Sequence, residues 1–129
     1  RNVELRRNLA ENLPPISTDH GQIQQVFLNI LNNALAAVPD GGAITLTSWD
    51  KDQNFVGISV EDNGCGMSEE TCKHMFEPFF TTKKEKGTGL GMSITYGIVK
   101  RLGGDIQVKS KLGEGTTITI MLPKKPVEG

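Results

Sequence analysis

Between Asp19 and Gly42, apolar side chains return at Ile23, Val26, Phe27, Ile30, Leu31, Ala34, Leu35 and Val38, the three-and-four spacing of one helical face. This is the strongest periodicity in the chain, so a long amphipathic helix must find an apolar surface to lie on. Asp19 with Gln22 three residues on has the form of a capping box at its start, and Pro39-Asp40-Gly41-Gly42 stops it. At about 100° per residue, Gln25, Asn29 and Asn33 form a neighbouring stripe, with Asn33 close to the edge of the apolar arc. Two amides therefore point toward the rim of the core, one turn apart.

The surface that receives this helix is read from the segments that alternate. Ala43 to Asp50 and Phe55 to Glu61 are β-branched with a polar connection between them, which predicts a hairpin. Ile106 to Ser110 and Thr116 to Leu122, separated by Lys111-Leu112-Gly113-Glu114-Gly115, predict a second one. Val3 to Ala10 reads as a short edge strand, ended by Asn12-Leu13-Pro14-Pro15, and Ile16 to Thr18 as another short extended piece. Ser68 caps a short helix through Met75. Leu90 to Leu102 is helical, with Ile94, Ile98 and Leu102 on one face and Gly103-Gly104 at its end. Residues after Pro123 are expected to fray.

This order implies an α/β (α+β) chain in two layers, with the helices collected on one face of a mixed sheet. A length of 129 residues fits one domain over residues 1–129, able to bury roughly two thirds of its unfolded surface. A formal net charge of −1 gives no basis for binding duplex nucleic acid. No apolar run approaches a bilayer span and the N-terminal residues do not read as a signal peptide or an Arg-rich leader, so a soluble domain without direct membrane contact is expected. Cys65 and Cys72 are too few and too irregular for a zinc site or a disulfide framework, which fits the cytoplasm. The charged, abrupt start at Arg1 suggests a module of a longer protein.

Four places could carry chemistry. Gly87-Thr88-Gly89-Leu90-Gly91 opens a helix, where unsatisfied backbone N–H groups and the helix dipole can hold a polyphosphate; a flexible linker is the alternative. It is not a P-loop, because no Lys-Ser or Lys-Thr follows, and it does not follow a buried strand as a dinucleotide fingerprint does. Asn33, with Asn29 as a second candidate, could give Mg²⁺ a neutral oxygen, or face solvent. Asp62 ends a strand beside Gly64 and Gly66, where a carboxylate could accept from an exocyclic amine; Asp-Asn-Gly also suits a plain turn. Lys83, Lys84 and Lys86 could meet phosphate or form a solvated loop. His20 and His74 suggest nothing specific, and Trp49 reads as a strand-face residue.

Taken together, Asn29/Asn33, Asp62-Asn63-Gly64-Cys65-Gly66, Phe76-Glu77-Pro78-Phe79-Phe80 and Gly87-Thr88-Gly89-Leu90-Gly91 resemble, in order and spacing, the N, G1, F and G2 boxes of sensor histidine kinases. The resemblance runs from about Asp19 to Pro123 and places the chain among the GHKL proteins, with DNA gyrase, the heat-shock chaperone ATPases and the mismatch-repair ATPases. It implies a Bergerat-type two-layer sandwich of about five mostly antiparallel strands with three helices on one face. Residues 66–90 would form an ATP lid.

Carried over by position, Asp62 resembles the adenine-reading Asp, Gly64 and Gly66 the glycines beside it, and Thr116 the strand Thr that assists through water. Asn33 matches the magnesium-binding Asn, and Gly87, Thr88, Gly89, Leu90 and Gly91 the segment that wraps the triphosphate. Asn29 stands where gyrase and the chaperones keep a water-activating glutamate. An amide cannot take a proton at neutral pH, so hydrolysis should be slow and the γ-phosphate kept for transfer. Asn29 and Asn33 are the catalytic candidates. Ala36 departs from the family, where many kinases have a basic residue, so a lid lysine such as Lys83 would take that duty.

The family's acceptor histidine, followed by Glu or Asp and a later Pro, is matched by neither His20-Gly21 nor His74-Met75. The expected partners are therefore ATP, a dimerisation and phosphoacceptor domain of the same parent kinase, and indirectly a response regulator. A GHKL hydrolase, a serine/threonine-directed kinase and a nucleotide-sensing module are the rival readings.

Overall fold

The structure is a computed structural model and describes residues 2–11, 13, 18–77 and 91–125. Among these residues the elements follow the order β1 (Glu4–Asn8), α1 (His20–Ala37), β2 (Ala43–Asp50), β3 (Phe55–Asp62), α2 (Glu69–His74), α3 (Gly91–Arg101), β4 (Asp105–Lys111) and β5 (Gly115–Pro123). The strands make one sheet in the order β1-β2-β3-β5-β4. β1 runs parallel to β2, and the other neighbouring pairs are antiparallel. The mixed, mostly antiparallel sheet with three helices is the predicted architecture. The extended piece expected at Ile16 and the tail beyond residue 125 lie outside the described residues.

α1 begins where its cap predicts: the Asp19 carboxylate accepts the Gln22 backbone N–H at 3.1 Å. It ends because Val38 turns extended, as a residue before proline is pushed to do. Val26, Ile30, Ala34 and Val38 are buried, and Ile23, Phe27 and Leu31 pack at the margin of the same core. Leu35 departs from the expected face and is 39% exposed. At 100° per residue it sits about 140° around from Ile30, beyond the arc that the sheet covers.

Strand alternation sends every second side chain under the helices. Ile44, Val56, Val60, Ile106, Ile118, Ile120 and Leu122 line that side and are at most 5% exposed. α1 lies over β3 and β5, α2 and α3 lie against β4, and α1 packs on α3. On the opposite side, Thr45, Thr47, Ser59, Thr117 and Thr119 form a patch of hydroxyls, and the Trp49 indole lies across Gly57. Trp49 is thus the strand-face residue that the sequence suggests.

The buried side chains of α3 are Met92, Thr95, Ile98 and Val99, whereas Ile94, expected to face the core, is 47% exposed. Residues four apart advance about 400°, so the line Ile94, Ile98, Leu102 drifts about 40° at each step. Spacings of three and four through Met92, Thr95 and Val99 follow the buried side more closely, and they bring a hydroxyl inside.

Candidate functional site

One row of the sheet ends the apolar core on a polar note. The register sets Ile44 opposite Asp62, Asp62 opposite Thr116, and Thr116 opposite Ser110, across β2, β3, β5 and β4. Directly opposed residues share a face, so Asp62, Thr116 and Ser110 stand side by side under the helices. Asp62 is 5% exposed and Thr116 7%. A carboxylate held so deep must be met by donors, and the backbone N–H of Gly64 reaches Asp62 Oδ1 at 2.9 Å.

The loop after Asp62 is held tightly between neighbouring elements. A Cβ on Gly64 would stand 2.4 Å from the Ala37 carbonyl oxygen at the end of α1. Gly66 has a φ of 72°, and a Cβ there would come 2.0 Å from the Lys111 carbonyl oxygen. Only glycine fits these places without displacing backbone. At both positions the close neighbour is the chain's own backbone. Asn63 adds a further tie, its Oδ1 accepting the Ala43 N–H at 2.8 Å.

Thr116 Oγ1 lies 2.7 Å from Ser110 Oγ, which also donates to the Gly115 carbonyl at 2.9 Å and accepts the Met67 N–H at 2.7 Å. Ser110 was not anticipated. Its signal was the third inward position of β4, after Ile106 and Val108, occupied by a hydroxyl. Beside it an open groove of about 650 Å³ runs between α2 and β4, lined in part by Met67, Cys72 and Leu112. Burial pushes the Cys72 thiol up from its ordinary value, against a smaller downward pull from Ser110, so it stays protonated at neutral pH.

The two amides of α1 behave differently. Asn29 Nδ2 donates to the Gly91 carbonyl at 3.2 Å and to Thr95 Oγ1 at 3.1 Å, and its Oδ1 accepts from Gln25 Nε2 at 2.8 Å. Thr95, fully buried, returns its own proton to the Gly91 carbonyl at 2.9 Å. Asn29 therefore fastens α1 to the first turn of α3. Asn33, one turn on and half-buried, takes part in none of these bonds. Sequence reasoning missed Thr95 because its face of α3 was drawn through Ile94.

Gly91 is the first residue of α3, while Lys83, Gly87, Thr88, Gly89 and Leu90 lie outside the described residues. Of the aromatic box, Phe76 and Glu77 are described. Phe76 stacks on Tyr96 with centroids 5.3 Å apart and planes at 28°, and Lys100 Nζ stands 5.7 Å from the Tyr96 centroid. Within the predicted lid, the first residue of the aromatic box thus rests against α3. Among the described residues, no three His, Cys, Asp or Glu side chains converge as a metal cluster. No described helix is long and apolar enough to cross a membrane.

Comparison with known proteins agrees with this arrangement. Residues 18–126 match the model of the family described as histidine kinase-, DNA gyrase B- and HSP90-like ATPase. Sporulation kinase E of Bacillus subtilis is 46% identical over 95% of the chain, and sensor kinase CckA of Brucella abortus 40% identical over 96%. The chain spans only 16% and 15% of those two proteins. The catalytic domain of histidine kinase ThkA superposes with a TM-score of 0.84 at 30% identity, covering 96% of this chain and 80% of that one. Full-length ShkA, solved in complex with AMPPNP, gives 0.85 at 29% identity, with 98% of this chain and 27% of that one covered. The chain therefore belongs to the histidine kinase-, DNA gyrase B- and HSP90-like ATPase family, as an ATP-binding domain of the histidine kinase kind.

Proposed function

We propose that this chain binds Mg·ATP and presents the γ-phosphate to a histidine on a separate dimerisation and phosphoacceptor domain of the same parent kinase. A response regulator would receive the phosphoryl group later, and the work would take place in the cytoplasm without nucleic-acid or direct membrane contact by this domain. The observation that carries the reading is the buried row of Asp62 and Thr116 at the end of the sheet. An acceptor-only carboxylate inside an apolar core suits an exocyclic amine, which adenine offers.

In this reading Asp62 holds the amine, Gly64 and Gly66 keep the loop clear of bulk, and Thr116 assists through water. Backbone N–H groups of Gly87, Thr88, Gly89, Leu90 and Gly91 receive the phosphates, with Lys83 as the basic contact, and residues 66–90 act as the lid. Asn33 offers its amide oxygen to Mg²⁺. The donor set fits that ion: Mg²⁺ keeps several waters and takes phosphate oxygens, so one neutral protein oxygen suffices without an acidic cluster. When bound, the ion neutralises charge on the phosphates.

The chain's own contribution is positioning and exclusion of hydrolysis. Asn29 can neither accept a proton nor turn freely, since both ends of its amide are bonded within the protein. Water activation from this position is therefore absent. The test is calorimetric binding of Mg·ATP to the chain and to Asp62→Asn, followed by incubation with a purified phosphoacceptor domain and labelled ATP. The expected results are a loss of about 1.5–3 kcal/mol in the variant, the worth of a hydrogen bond to a charged group, and an acid-labile phosphohistidine. Unchanged affinity would remove Asp62 from the site. Phosphate release would favour a hydrolase, and binding without transfer a sensing module.

A further inference from the structure

We propose that Ser110 is a positioning residue for base recognition, acting through Thr116. The inference rests on the nucleotide reading above, and its premise is a proton count. Ser110 Oγ has one proton and two lone pairs, and three strong partners surround it. The Met67 N–H at 2.7 Å can only donate, so it takes one lone pair. The Gly115 carbonyl at 2.9 Å can only accept, so it takes the proton. Thr116 Oγ1 at 2.7 Å must then donate its own proton to the remaining lone pair. Any other assignment sets two bare acceptors against each other at one of these distances. The Cys72 thiol alongside is also within hydrogen-bond reach of Ser110, but sulfur is the weaker partner and yields to these three oxygen and nitrogen groups.

The consequence reaches the site. With its proton spent on Ser110, Thr116 turns only lone pairs outward, beside the acceptor-only carboxylate of Asp62. Whatever meets Thr116 must donate: an amine N–H, or a water that gives one proton to Thr116 and the other to a ring nitrogen. Without Ser110 the hydroxyl of Thr116 rotates and its polarity is no longer fixed. Ser110 also secures the Met67 amide, the residue after Gly66, so the β4 strand and the loop beside Asp62 are joined at one oxygen. Asp62 and Thr116 thus supply the contacts, and Ser110 sets the sense of one of them.

The experiment is a double-mutant cycle on Mg·ATP affinity, with Ser110→Ala, Thr116→Val, the double variant and Ser110→Thr, each checked by thermal melting without nucleotide. Ser110→Ala should raise Kd about fivefold, the equivalent of one neutral hydrogen bond of about 1 kcal/mol. In the Thr116→Val background the same change should raise it less than about twofold, because nothing is left to orient. Ser110→Thr, which keeps the hydroxyl, should bind as the unaltered chain does. Equal losses in both backgrounds would make Ser110 a purely structural residue and overturn the proposal, as would no loss in either. An unaltered chain that fails to bind ATP would instead bring down the nucleotide reading itself, and this inference with it.

Discussion

Replacing Asn29 by alanine tests the junction that joins α1 to α3. The change deletes two bonds between the helices, to the Gly91 carbonyl and to Thr95 Oγ1, and one within α1, from Gln25. Each interhelical bond contributes about 1 kcal/mol net, and the i, i+4 pair a few tenths. No buried donor is orphaned, because Thr95 still gives its proton to the Gly91 carbonyl at 2.9 Å. Alanine is also the better helix former, which returns roughly half a kcal/mol. The expected net loss is about 1–2 kcal/mol, or a fall in Tm of about 3–8 °C for a chain of this size. Urea denaturation without nucleotide, followed by far-UV circular dichroism, measures it. Thr95→Val keeps the volume and removes the shared hydroxyl, so the double variant should lose less than the sum of the singles. An Asn29→Ala chain as stable as the parent, or strict additivity with Thr95→Val, would refute the fastening role.

Two further outcomes are expected. A Cβ on Gly57 would lie 2.2 Å from Trp49 Cε2, so Gly57→Ala must lift the indole off the sheet. Since Trp49 is the chain's single tryptophan, its emission should shift to the red, with a stability loss of about 1–3 kcal/mol; an unchanged spectrum would argue against the contact. Asp52 accepts the backbone N–H groups of Asn54 and Phe55 at 2.8 and 2.9 Å, which hold its carboxyl below the usual range. A depressed folded pKa stabilises above the unfolded value of about 3.8 and is lost as pH falls through the folded one. Asp52→Asn should therefore lower stability at pH 7 and flatten the decline below pH 4, read by denaturation at pH 7 and pH 3.

How much of this was legible follows from the range of the forces involved. The cap at Asp19, the stop before Pro39 and the two hairpins are local, so spacing and turn chemistry reveal them. The order β1-β2-β3-β5-β4 and the parallel β1 are not local: the element order implied a mixed sheet under the helices and the family resemblance a mostly antiparallel one of about five strands, but neither specified which strands are neighbours. Asp62 could be singled out as a carboxylate beside glycines, but its adjacency to Thr116 is a fact of strand register. Ser110 and Thr95 stayed hidden because a serine at a strand end and a threonine in a helix look ordinary until their neighbours are known. Ile94 misled for the opposite reason: a large apolar side chain was given the buried face that Thr95 occupies, since the hydroxyl has partners there and pattern reading weighs hydrophobicity alone.

The amide at position 29 has a structural reason as well as a chemical one. The Gly91 carbonyl accepts from both Asn29 and Thr95, so the group facing it from α1 has to be a donor. A carboxylate there would set oxygen against oxygen at the start of α3 and leave a charge in a half-buried seam. If, as the resemblance implies, a water-activating base would stand here, that base and the donor that docks α3 compete for one position, and this chain has the donor. Asn33, left out of the junction, stays available one turn away. The division of labour between two amides on one helix is then set by what α3 requires of the first, and under the function proposed above the same packing of α1 on α3 would disfavour hydrolysis from this position.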